Sequence, residues 1–157
     1  SAASDVYKRQ QCIYTLMTTS SGSADPRCVC GALRRATRAV TRHYDDHLAP
    51  SGLTIGRYSL LTTLERLGTP TLAAYARDLA MDRTTLLRNL RPLVDDKLIE
   101  VAPARGGRSN VAKITARGSA ALRRAKPFWR DAQFALAKKI DREDVERVLA
   151  VAAALSA

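Results

Sequence analysis

The sequence predicts a mainly α chain with one small β-hairpin, and three observations predict it. Apolar residues recur at helical spacing along most of the 157 residues, from Val29, Leu33, Ala36 and Val40 to Val145, Val148, Leu149, Ala152 and Leu155. The stretch from Leu72 to Glu100 divides into two short helical segments around a tight turn at Ala80, Met81 and Asp82. Two strand-like runs, Leu98–Ala102 and Val111–Thr115, then flank a loop rich in Gly and Arg, which reads as a hairpin.

The paired short helices are the centre of the reading. In the first, Leu72, Ala76 and Leu79 stand at i, i+4 and i+7, one apolar stripe. Asp82 is a good N-cap for the second. There Leu86, Leu90, Leu93 and Val94 fall within an arc of about 100°, at roughly 100° per residue. The opposite side carries Thr84, Arg88 and Arg91, with Arg83 and Thr85 beside them. A helix with an apolar back and a front of Arg and Thr suits the major groove of DNA. Arg can donate two bonds to guanine, and Thr offers a hydroxyl and a methyl. The same face also suits a solvated charged helix in any bundle.

The next segment of the chain favours DNA. Helix, turn, helix and a basic-tipped hairpin is the order of a winged helix-turn-helix, here about residues 54–115. The hairpin tip places Arg105 and Arg108 where they could reach the sugar-phosphate backbone or a neighbouring minor groove. Lys and Arg number 26 against 15 Asp and Glu, a net charge of +11. That balance favours polyanionic partners, nucleic acid before a membrane, and with the winged pattern the expected partner is double-stranded DNA. No apolar run reaches the length of a membrane span. An odd number of cysteines, 3, argues against a disulfide scaffold, and a cytoplasmic protein is expected.

The flanks complete the plan. Residues 1–27 are rich in Ser, Thr and Ala without sustained period, and are expected to be disordered or non-native. SAASDVYKRQ resembles a translated adaptor remnant, which would make Met17 a native start. An N-terminal arm touching DNA is the alternative. Residues 28–157 then form a single domain. Its first helix, about 28–48, is closed by Pro50-Ser51-Gly52. Thr54 caps a helix over Ile55–Leu67, with Leu60, Leu61, Leu64 and Leu67 as core candidates, and Gly68 stops it. After the hairpin, Thr115 caps a long helix to about Lys139, which Pro127 should kink. Asp141 opens a last helix. The helices at about 28–48 and 116–156 are too apolar along one side for the small central lobe to cover. A two-fold homodimer is the simplest closure.

These residues carry a resemblance. YDDHLAPSGLTIGRYSLL (44–61), LAAYARDLAMDRTTLLRNLRPLVDDKLIE (72–100) and GRSNVAKITARGSAAL (107–122) together resemble the MarR family of bacterial transcription regulators. The resemblance runs from Cys28 to Leu155. It implies a triangular homodimer with the terminal helices at the interface and one winged lobe per subunit. It also implies a repressor released from a palindromic operator by a small aromatic effector, with no cofactor. The effector would lie near Tyr44, Tyr58 and Trp129. Three departures stand out. Gly106 replaces the usual wing aspartate, so the wing lacks its Asp–Arg pairing. Lys97 replaces a glycine and must be left-handed or end the helix differently. Pro92 removes one donor inside the second helix of the pair.

CGALRRATRAVTRHYDDHLAPSGLTIGRY (30–58) resembles the organic-hydroperoxide-sensing branch of that family. The resemblance would make Cys30 a redox sensor and Tyr44 a partner of its thiolate. Ile55 occupies a second tyrosine position of that branch, which weakens the match, and a small buried hydrophobe is the plain alternative for Cys30. Cys28, Cys30, His43 and His47 imitate a metal set. On one straight helix, however, Cys30 and His43 stand about 20 Å apart, too far for one ion. The sequence has no Gly-rich phosphate loop, nucleophile elbow or paired acidic motif, so no enzyme is expected. A nonspecific architectural DNA-binding protein is the alternative from another class.

Overall fold

Threonine and aspartate caps set where the helices of this chain begin. The computed structural model describes residues 28–104, 106 and 109–156. Its helices are α1 (Val29–Leu48), α2 (Ile55–Leu67), α3 (Leu72–Asp78), α4 (Arg83–Asp95), α5 (Ala116–Ala137) and α6 (Arg142–Ser156). The hairpin strands are β1 (Ile99–Pro103) and β2 (Asn110–Ile114). The side chains of Thr54, Thr71, Asp82 and Thr115 each accept the N–H three residues on, at the starts of α2 to α5. Each bond satisfies one of the donors a helix start leaves open. A 3₁₀ turn at Ala49–Ser51 and the left-handed Gly52 (φ 76°) close α1. Gly68 closes α2 through its N–H to the Leu64 carbonyl.

The chain forms two compact units, one ending at Arg42 and one spanning His43–Ala157. In the first, α1 keeps Arg34, Arg35, Arg38 and Arg42 exposed. Its apolar side is open as well, with Val29, Leu33 and Val40 all exposed.

The second unit holds the core. Leu48, Leu61, Leu64, Leu86 and Leu93 are fully buried. Tyr75 lies among them, and its hydroxyl donates to the Leu60 carbonyl at 2.6 Å. A buried phenol keeps its place only with such a partner. The strands pair antiparallel from Ile99↔Ile114 to Pro103↔Asn110. Thr71 bridges Val111, and Ala112 donates to the Pro70 carbonyl, so the segment before α3 borders the hairpin. Gly118 lets α5 approach the residue just before β1: a Cβ there would stand 2.1 Å from the Leu98 carbonyl oxygen. No other residue fits that contact without moving backbone.

Boundaries differ slightly from the sequence expectation. α1 starts at Val29, one residue after a Cys28 that is not helical, and α5 ends at Ala137 rather than Lys139. Val94, placed in the apolar arc of α4, is 39% exposed. It sits at the edge of that arc in the last turn, where the helix leaves the core. Pro127 does lie inside α5. Residues 1–27, and Arg105, Gly107 and Arg108 of the wing tip, lie outside the described residues. Among the described residues, no helix is long and apolar enough to cross a membrane.

Candidate nucleic-acid interface

The helix pair is joined by a turn whose geometry the local sequence does not favour. Ala80 is left-handed (φ 49°), and Met81 N–H reaches back to the Ala76 carbonyl at 2.9 Å. That six-residue closure ends α3 and aims the chain into α4. Lys97 does the same after α4. It is left-handed (φ 59°), Leu98 N–H bonds the Leu93 carbonyl at 2.8 Å, and the Thr115 hydroxyl donates to the Lys97 carbonyl at 2.8 Å. Both positions do without glycine, so surrounding bonds hold a backbone conformation that side chains disfavour.

Between these closures α4 is anchored from behind. Leu86, Leu90 and Leu93 are buried, and α4 packs on α3, β1 and α2. Arg57, in the first turn of α2, pairs with Asp96 just after α4 at 2.9 Å, and Arg66 of α2 pairs with Asp78 of α3. Such half-exposed pairs add little energy each. They do fix the pose of the helix ends. Pro92 costs no interior contact, because it lies on the exposed side.

The outward face of α4 holds Arg83, Thr84, Arg88 and Arg91, all exposed. Among the described residues no carboxylate pairs with any of these three arginines. Their charges are free for an external anion. Thr85 is placed differently from its neighbours. It is half-buried, its N–H bonds Asp82 Oδ1 at 2.8 Å, and its hydroxyl bonds Asp82 Oδ2 at 2.7 Å. The Thr85 hydroxyl, and then its N–H, hold the Asp82 carboxyl below its ordinary pKa. One residue of this face escaped the sequence reading. Leu87 is 42% exposed among the arginines. Its place on a helical wheel was the available signal.

The other nominated residues fall elsewhere. Tyr44 is buried, and its hydroxyl bonds the Gln133 side chain; burial raises its pKa against that bond. Tyr58 is buried and stacks on Trp129, centroids 5.8 Å apart and rings 17° from parallel. Burial likewise raises the Tyr58 pKa, opposed by a bond with Thr62. Cys30 is exposed, and belongs to the unit that ends at Arg42, whereas Tyr44 belongs to the other. Cys28 accepts the Gly31 N–H at 3.5 Å. His43 Nε2 bonds the Ala132 carbonyl at 2.9 Å, and His47 Nδ1 bonds the His43 carbonyl at 2.7 Å.

No protein-family model matches the sequence, and no curated protein matches it. Solved structures do. The chain is 32% identical to the Mycobacterium tuberculosis transcriptional regulator MosR, over 85% of this chain and 98% of that one, with a TM-score of 0.71. The same regulator solved in complex with DNA gives 33% identity, over 82% and 98% of the two chains, with a TM-score of 0.70. BpsR of Bordetella bronchiseptica, whose DNA binding is regulated by 6-hydroxynicotinic acid, shares the fold at 19% identity. That match covers 87% of this chain and 98% of that one, with a TM-score of 0.73. These neighbours are transcriptional regulators rather than enzymes, and with the winged helix-turn-helix described above they place the chain in the MarR family of transcriptional regulators.

Proposed function

We propose that this chain is a repressor that binds a palindromic operator as a homodimer and is released by a small aromatic effector. One observation carries the reading. α4 buries Leu86, Leu90 and Leu93 and presents outward Thr84 and three arginines with no acidic partner among the described residues, in a chain 33% identical to a regulator solved with DNA. In the major groove Arg88 would meet a base edge, with Thr84 and Thr85 nearby and Arg83 and Arg91 toward the phosphates. Arg105 and Arg108 of the wing would add affinity that is independent of sequence. Removing either should flatten the dependence of log affinity on log salt by roughly 1 unit. An unchanged slope would show that the wing does not touch the backbone.

The homodimer is supported by α6, whose apolar side is left open within the single chain. For the effector we favour the neighbourhood of Tyr44, Tyr58 and Trp129. Their aromatic rings would suit a planar ligand once the Tyr58–Trp129 stack opens. Selection of bound duplexes from random DNA tests the whole reading. The expected product is a palindrome with half-site centres about one helical turn apart. Equal affinity for all duplexes would favour a nonspecific architectural protein instead.

The exposure of Cys30 supports a second mode of release. A thiolate there could attack an organic hydroperoxide, releasing the alcohol and becoming a sulfenic acid. Wild type would then lose operator affinity on treatment while Cys30→Ser kept it. Matching behaviour of the two proteins would leave the aromatic effector as the release signal.

A further inference from the structure

We propose that Leu87 selects thymine, through its 5-methyl group, at one base position of each half-site. The inference rests on the reading of α4 as the helix in the major groove, and it adds the apolar part of the recognition code. A single exposed leucine on a protein surface is common. Its neighbours give this one a role. Leu86 and Leu90 on either side are buried to 0% and 1% exposure, whereas Leu87 is 42% exposed and so adds little to the core. It stands four residues after Arg83, three after Thr84 and four before Arg91. At 1.5 Å per residue those arginines lie about 6 Å to either side along the axis. The arginine span is then about 12 Å, close to the width of the major groove. Leu87 sits at its midpoint.

A leucine in that place has neither donor nor acceptor. Against guanine, cytosine or adenine it would strip water from polar edge groups and return no hydrogen bond, which is unfavourable. Thymine is the base that offers an apolar group in the major groove. Burying that methyl against the leucine side chain removes apolar surface of both from water. Arg88 comes directly after Leu87, so the thymine should adjoin the base pair that depends on Arg88.

The test is a uracil scan. Each thymine of the selected operator is replaced singly by uracil, which removes only the methyl, and binding of the full chain is measured at equilibrium. Wild type should lose about fourfold at one position per half-site, the equivalent of one methyl-sized group left unburied. Leu87→Ala should bind the thymine and uracil duplexes alike at that position, and keep its penalty at the Arg88-dependent base pair. Leu87→Met, which preserves apolar volume, should keep the thymine preference and so separates a reading defect from a folding defect. The proposal is overturned if no thymine of the operator needs its methyl, or if Leu87→Ala retains the wild-type penalty. Either result on a palindromic operator would leave the repressor reading standing. A chain that binds every duplex equally would overturn both.

Discussion

Helices α4 and α6 are of similar length, 13 and 15 residues, and each carries an apolar stripe at helical spacing. In α4 the stripe is covered: Leu86, Leu90 and Leu93 meet the rest of the lobe and are buried. In α6 it is open, with Val148, Leu149 and Leu155 at 62%, 63% and 72% exposure. Their charges are opposed in the same way. Arg83, Arg88 and Arg91 of α4 have no acidic partner among the described residues, whereas Arg142 of α6 pairs with Glu146 at 2.8 Å, and Arg147 pairs with Glu143 and Asp144. So α4 offers free cations and hides the leucines of its stripe, while α6 neutralises its cations and offers its leucines. The first is fitted to a polyanion and the second to an apolar protein surface.

The largest expected effect separates the two stripes. Leu90→Ala leaves a hole in a packed core and should cost about 2–5 kcal/mol of subunit stability at any protein concentration. Leu149→Ala should change local stability by less than about 0.5 kcal/mol, and weaken assembly so that its melting point depends on concentration. Denaturant titration with sedimentation at several concentrations reads both. Equal, concentration-independent losses would mean that α6 is covered within its own chain, and the comparison would fail.

A smaller effect separates the charges. Arg88→Ala should cost about 1–3 kcal/mol of operator affinity and relax the preference at one base pair per half-site. Arg147→Ala, which removes a cation already paired within α6, should leave that affinity unchanged. Equal weakening by Arg88→Ala on every duplex would reassign it to a phosphate.

The contrast also explains what could be read from the sequence. Both stripes are legible there, because periodicity is local. The starts of α2, α3, α4 and α5 are legible from Thr54, Thr71, Asp82 and Thr115 or from the turns before them, since a cap acts over three residues. The left-handed Lys97 is legible because a side chain stands where the family pattern has glycine. That the α4 stripe faces a core and that the terminal helices exceed what the lobe can cover are also expected from the sequence, but the surface that covers a stripe is not a local property, and which residues meet it comes only from tertiary packing. Gly118 gave no signal for the same reason: the Leu98 carbonyl that excludes a Cβ is 20 residues distant in the sequence. The stack of Tyr58 on Trp129 and the bond from His43 to the Ala132 carbonyl are equally long-range. On α4 itself, the bonds that tie Thr85 to Asp82 are seen only in the structure, whereas Leu87 stands outside the apolar arc on a helical wheel and its exposure is open to a sequence reading.

The smallest effect concerns how the recognition helix begins. Asp82 caps α4 and accepts two bonds from Thr85, one from the hydroxyl and one from the N–H. These bonds favour the carboxylate over the acid, so its pKa in the folded chain lies below the ordinary value of 3.8. A group depressed in this way contributes stability that is complete above the unfolded value. That contribution is lost as pH falls through the folded one. The loss should therefore begin near pH 4 and finish below it, with no change around neutrality. Asp82→Asn keeps an acceptor at the cap but cannot titrate there. Melting of both proteins from pH 7 down to pH 2 should show wild type falling relative to Asp82→Asn only in the acid limb. Thr85→Ala removes the hydroxyl that contributes most to the shift, and should shrink that difference. If the two melting curves run parallel through the acid limb, Asp82 is not held as a carboxylate by Thr85. The Thr85 hydroxyl would then be available to the DNA face after all.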